Sequence, residues 1–77
     1  VKKTFALNAE YITLGQLLKE VDVVSSGGMA KWYLSENVVY VDGEEENRRG
    51  RKLYANMMIE IPEVGTFFMA KNPAETD

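Results

Sequence analysis

Arg48, Arg49, Arg51 and Lys52 gather four of the chain's nine Lys and Arg residues into five positions, spaced around Gly50. A guanidinium is planar, permanently charged and carries paired donors that match phosphate oxygens. The background is acidic, with a formal net charge of −3 and a pI near 4.9. A local cationic loop on such a background is a directional field suited to a polyanion, and RNA is the leading candidate. The same acidity argues against indiscriminate attraction to duplexes, so the contact should be local and limited in charge count. The competing partner for these cations is the run Glu44, Glu45 and Glu46. Exposed ion pairs are worth only about 0–1 kcal/mol each, so on either reading the loop should add little to stability.

Other residues could join that chemistry. Trp32 and Tyr40 could stack on unpaired bases, as could Tyr54 beside the loop, or they could cover a small core. Gly27-Gly28 could lend free amides to a phosphate, or could simply form a turn. Glu44, Glu45, Glu46, Glu60 and Glu63 could form an acid/base pair or hold Mg²⁺. Consecutive glutamates on a strand alternate between faces, however, so most should meet solvent. The chain has no cysteine and no histidine. Disulfides, thiolate zinc sites, Ser–His–Asp triads and Cys–His pairs are therefore excluded. No catalytic residue, metal ligand or cofactor site is expected.

The elements that must position these groups are short. Lys2–Asn8 reads as a first strand and 8–11 as a connection. Thr13-Leu14-Gly15-Gln16 fits a capping box, and Leu14, Leu17, Leu18 and Val21 follow at helical spacing, which predicts a helix over 13–22. Ser25-Ser26-Gly27-Gly28 marks a break and a second helix start, predicting a helix over about 28–36 with Ala30, Tyr33 and Leu34 on one face. Asn37 is suited to the left-handed end of that helix. Val38–Val41 reads as a strand with Val39 and Val41 inward. Asp42-Gly43 is a two-residue hairpin turn, and Glu44–Glu46 is the return strand. Met57–Ile61 and Thr66–Ala70 are strands joined through Pro62–Gly65. These assignments put Leu14, Leu17, Leu18, Ala30, Leu34, Val39, Val41 and Ile59 in one core.

Three stretches together carry a family resemblance: Ile12-Thr13-Leu14-Gly15-Gln16, Gly27-Gly28-Met29-Ala30-Lys31-Trp32, and Asn47-Arg48-Arg49-Gly50-Arg51-Lys52-Leu53-Tyr54. In this order the chain resembles the S4 RNA-binding domain over about residues 12–61. It is most similar to the small stand-alone S4-like proteins of the YaaA type in Gram-positive bacteria. The resemblance implies an α+β, S4-like (αL motif) fold, a two-helix hairpin packed on a small mainly antiparallel sheet. It also implies an RNA-facing surface at Ser26, Lys31, Asp42 and Gly43. Two positions depart from the family pattern, with Gly27 where Arg is frequent and Asp42 where Asn is usual. Both changes shift weight onto Arg48, Arg49, Arg51 and Lys52. The usual Gly-Asp turn before the last strand is replaced by Asn56-Met57, where Asn56 can supply the left-handed residue.

The resulting expectation is one S4-like domain over 1–70 with a flexible tail at 71–77. Its function is non-enzymatic binding of structured RNA, by resemblance rRNA or tRNA, in ribosome assembly or on a ribosomal subunit. Trp32 and Tyr40 are the candidate stacking residues. No apolar stretch approaches the roughly 20 residues needed to span a bilayer, so a monomeric cytosolic protein is expected. The alternative function is a protein-interaction adaptor that uses the arginine loop against an acidic partner.

Overall fold

The computed structural model describes residues 2–71. Nine elements follow one another: β1 (Lys2–Leu7), β2 (Tyr11–Thr13), α1 (Leu14–Glu20), α2 (Gly27–Glu36), β3 (Val39–Val41), β4 (Glu44–Glu46), β5 (Lys52–Tyr54), β6 (Met58–Ile61) and β7 (Gly65–Lys71). Five strands form a sheet in the order β1-β7-β6-β3-β4, parallel between β1 and β7 and antiparallel elsewhere. β2 and β5 pair separately as a short antiparallel ribbon. The fold is α+β, with a two-helix hairpin and a mainly antiparallel sheet, as the resemblance implied.

The helical stripe of α1 is the nucleus of the packing. Leu14, Leu17 and Leu18 are fully buried against Ala30 and Leu34 of α2 and the inward residues Val39, Val41, Ile59, Ile61, Phe67 and Met69 of the sheet. All eight residues expected in the core are buried there. Thr13 caps α1 as a capping box: its hydroxyl accepts from the Gln16 amide, and the Gln16 side chain accepts from the Thr13 amide.

Several boundaries differ from the expectation. Tyr11–Thr13 is a strand as well as the lead-in to the cap, because it finds a partner in β5 that lies about forty residues away in sequence and has no turn to announce it. α1 ends at Glu20, and Asp22 makes the turn with φ 63°. α2 begins at Gly27, one residue before the expected start at 28, with Ser26 as N-cap. Asn37 ends α2 in extended geometry (φ −134°, ψ 147°), not left-handed, and donates its side-chain amide to the Tyr33 carbonyl. Asn56 does take the left-handed conformation, at φ 73°. Asp42 and Gly43, at φ 51° and 86°, form the mirror-image turn that suits a two-residue hairpin. Lys71 closes β7 rather than opening a tail, and 72–77 lie outside the described residues.

Because Leu18 is fully buried at the centre of this stripe, Leu18→Ala should destabilise the protein by about 2–5 kcal/mol in chemical denaturation. A cost below about 1 kcal/mol would show that α1 does not anchor the core.

Candidate nucleic-acid interface

The basic loop is built onto the helix hairpin through its backbone. A helix leaves its first amides without intrahelical partners. Here the Leu14 amide donates to the Arg51 carbonyl and the Gly15 amide to the Arg49 carbonyl, both at 2.8 Å. Such closeness favours a glycine. A Cβ on residue 15 would stand 3.2 Å from Arg49 Cβ, 3.3 Å from Arg49 O and 3.6 Å from Ala30 Cβ. The loop thus seals the start of α1, while the Arg49 guanidinium reaches α2 and donates to the Gly27 carbonyl at 3.0 Å.

The arginines divide into two roles. Glu46, with a side chain only 7% exposed, accepts from the Arg48 amide, Arg48 Nε and Nη2, and Arg51 Nη1. Hydrogen bonding from the Arg48 side chain, reinforced by the Arg48 amide and Arg51, overrides the cost of burial and holds the Glu46 carboxyl down at about 2. The same bond pushes the Arg48 guanidinium up. Arg51 is largely covered, whereas the Arg48 side chain is 71% exposed and retains donors toward solvent. The expectation of a loop that adds little to stability is therefore corrected: two of its cations neutralise a buried carboxylate. Glu44 and Glu45, in contrast, are exposed and take no part in an ion pair among the described residues.

Arg49 projects into a cleft lined by Thr13, Gly15, Gln16, Lys19, Gly27 and Gly50. Lys31 lies one turn beyond Gly27 on the same flank of α2, exposed, and neither Lys19 nor Lys31 is in an ion pair among the described residues. Arg49, Lys19 and Lys31 thus bracket the junction of the two helices. Lys19 was not singled out from the sequence; its signal was its position four residues after Gly15, on the flank of α1 that the loop covers. Lys52 lies on the outer face of the β2–β5 ribbon, with Nζ 5.1 Å from the centroid of the Tyr11 ring.

The remaining predicted residues separate. Ser26 uses its hydroxyl oxygen to cap α2 through the Met29 amide. Asp42 accepts from the Met58 amide at 2.9 Å, fastening the hairpin turn to β6. Asp42 and Gly43 sit at the end of β4 opposite Glu46, about 10 Å along the strand. Tyr40 occupies the sheet face opposite the helices, in register with Glu45 on one side and Glu60 on the other. It is not brought to the basic loop. Trp32 is 61% exposed and so does not cover the core; it points away from the buried Ala30–Leu34 side of α2. Among the described residues no group of acidic side chains could hold a metal ion, and no helix is long and apolar enough to cross a membrane.

Two measurements check this junction. Gly15→Val should cost about 1–3 kcal/mol by forcing the loop off α1, and should accelerate hydrogen exchange at Leu14 and Gly15. Gly27→Ala, with nothing within 4 Å of the added Cβ, should change stability by less than about 1 kcal/mol. A depressed carboxyl contributes stability that is complete above its ordinary value of 4.5 and is lost as the pH falls through about 2. Glu46→Gln should accordingly cost about 1–3 kcal/mol at pH 7, and the gap in thermal midpoint from wild type should close between about pH 5 and pH 2. A gap that stays constant over that range would mean the clamp is not ionic.

Comparison with known proteins agrees with the geometry. The family model for the S4 domain matches residues 5–67. A relative from Bacillus subtilis (strain 168), described as a probable ribosome maturation protein RlbA, is 56% identical over 62 residues, covering 80% of this chain and 87% of its own length. The match runs through the helix hairpin, the basic loop and both sheets, and on that extent the chain belongs to the S4 domain family.

Proposed function

We propose that the chain is a non-enzymatic RNA-binding protein that docks on structured ribosomal RNA and acts in ribosome maturation. The observation that supports this reading is the cleft at the α1–α2 junction, which gathers Arg49 and Lys19 with no carboxylate in its lining, while exposed Lys31 follows one helical turn after Gly27. Phosphates would be met by the guanidinium of Arg49 and the ammonium groups of Lys19 and Lys31. Arg48 adds a further donor at the rim, and Lys52 extends the cationic surface along the ribbon. Contacts of this kind fix register and orientation on the backbone, and selectivity then comes from the shape of the RNA. Ser26 and Asp42 act through their side chains, and Gly43 through its left-handed backbone, by holding the helix start and the hairpin in place. Exposed Trp32, one residue round the helix from Lys31, is the side chain available for a base at that edge of the site. The printed description of the Bacillus relative supports the ribosomal setting.

Titration of a ribosomal RNA fragment and of a tRNA at several salt concentrations tests the reading. Neutralising about four phosphates should give a log–log slope near −3 to −4. Arg49→Ala should weaken binding about 10-fold and make the slope shallower by about one, with little change in thermal midpoint, because Arg49 is outside the Glu46 clamp. A flat salt response would contradict phosphate-led binding, and failure to bind either RNA would favour a protein adaptor whose loop meets an acidic partner. Tighter binding to the tRNA would move the protein from ribosomal to transfer RNA.

A further inference from the structure

The outer face of the β2–β5 ribbon holds a group of side chains that neither the core nor the helix-junction cleft uses. Tyr11 pairs directly with Tyr54, and Thr13 with Lys52, while Ile12 and Leu53 turn inward. Strand alternation thus puts two tyrosines and a lysine side by side in solvent. Tyr11 is 38% exposed and Tyr54 41%. Their ring centroids are 5.7 Å apart at 51°, a tilted pair that leaves ring surface uncovered. Lys52 Nζ lies over the Tyr11 ring, a cation–π contact that holds a positive charge at the edge of the pair. Tyr54 also forms one wall of a shallow groove whose other lining residues are Arg48, Gly50, Arg51, Lys52 and Met57. That lining contains three cations and no carboxylate.

We propose that this ribbon is a stacking site for a single unpaired nucleotide of the bound RNA, with the base on Tyr54 and its phosphate against Lys52 and Arg48. The inference rests on the RNA-binding reading and deepens it. An aromatic ring flanked by cations answers both halves of a nucleotide, the π-face and the phosphate. The nucleotide must be unpaired, because bases stacked in an A-form helix offer no free face to a side chain. The ring is also rigidly placed: the ribbon continues through Arg51, whose carbonyl takes the Leu14 amide, into the helix junction. A backbone held at Arg49 and Lys19 is therefore met by a stacking surface fixed to the same loop, and a bulged or looped-out residue next to a duplex is the element that fills both. The site adds a structural preference that the cationic cleft alone does not supply.

The test uses the full chain and two RNA hairpins with identical stems, one carrying a single 2-aminopurine bulge and one fully paired. Wild type should bind the bulged hairpin about 10-fold more tightly and quench the 2-aminopurine fluorescence. Tyr54→Ala should bind the two hairpins equally and lose the quench, Tyr54→Phe should retain both effects, and Tyr54→Leu, which keeps apolar area without a ring, should lose them. Thermal midpoints near wild type for the three variants show that the surface, not the fold, was altered. Arg49→Ala should weaken both hairpins by the same factor and leave the preference intact. If wild type binds both hairpins equally, or Tyr54→Ala keeps the preference, the stacking site is overturned while sensitivity to Arg49 still upholds RNA binding. If neither hairpin binds, the inference falls together with the reading beneath it.

Discussion

The organisation of the molecule depends on a close backbone contact at Gly15. Two carbonyls of the basic loop, Arg49 and Arg51, take the first two amides of α1, and at residue 15 the approach is so close that a Cβ would press on Arg49. This contact settles three matters at once. It satisfies helix amides that would otherwise need water or a side-chain partner. It fixes a glycine-containing basic segment, which would be expected to wander, against the best-packed element of the core. It also orients Arg49 toward α2, where its bond to the Gly27 carbonyl ties the loop to both helices.

Glu46 works on the same segment from the opposite side. A carboxylate this well covered would raise its own pKa and weaken the fold if it stood alone; two guanidiniums reverse the sign. Removing one partner from such an arrangement costs more than the pair contributes, because the remaining charge is stranded. The arrangement explains why a loop so rich in like charges stays compact. Arg48 and Arg51 are drawn to Glu46, and the charges left facing outward are those spread around the helix junction and along the ribbon. In a chain of formal net charge −3 the helix-junction cleft and the groove beside the ribbon are lined by cations without a carboxylate, while Glu45, Glu60 and Tyr40 lie on the sheet face away from the helices. Separation of sign by face, not by total charge, is what gives an acidic protein a local affinity for a polyanion.

Much of this could be read from the sequence. The spacing of Leu14, Leu17 and Leu18 behind a Thr–Gln capping box determined α1 because local pattern and tertiary burial agree. Asp42-Gly43 determined a hairpin for the same reason. The parts that escaped depend on contacts distant in sequence. Strands β2 and β5 have three residues each and no shared turn, so nothing local distinguishes them from loop. The burial of Glu46 was within reach: a two-residue turn at Asp42-Gly43 places Glu46 opposite Val39, and a core-facing Val39 forces Glu46 to the same side. The alternation of the three glutamates between faces is legible on its own, but which of them turns inward follows only when that register is carried through. The basic loop itself was legible as a concentration of charge, but its division into clamp and open cations required the fold. Trp32 and Tyr40 show the limit of composition alone, since one proves exposed on a helix and the other sits on the far face of the sheet.

The proposed RNA-binding face is formed by the helix junction, the basic loop and the adjoining ribbon. Amide chemical-shift mapping by NMR, with a ribosomal RNA fragment added to the isotopically labelled protein, tests that claim most directly. The account predicts perturbations concentrated at Gly15, Lys19, Gly27, Lys31, Arg49 and Gly50, with Tyr40, Glu45 and Glu60 unmoved. Perturbations concentrated instead on those sheet residues, with the loop and helix junction silent, would contradict it.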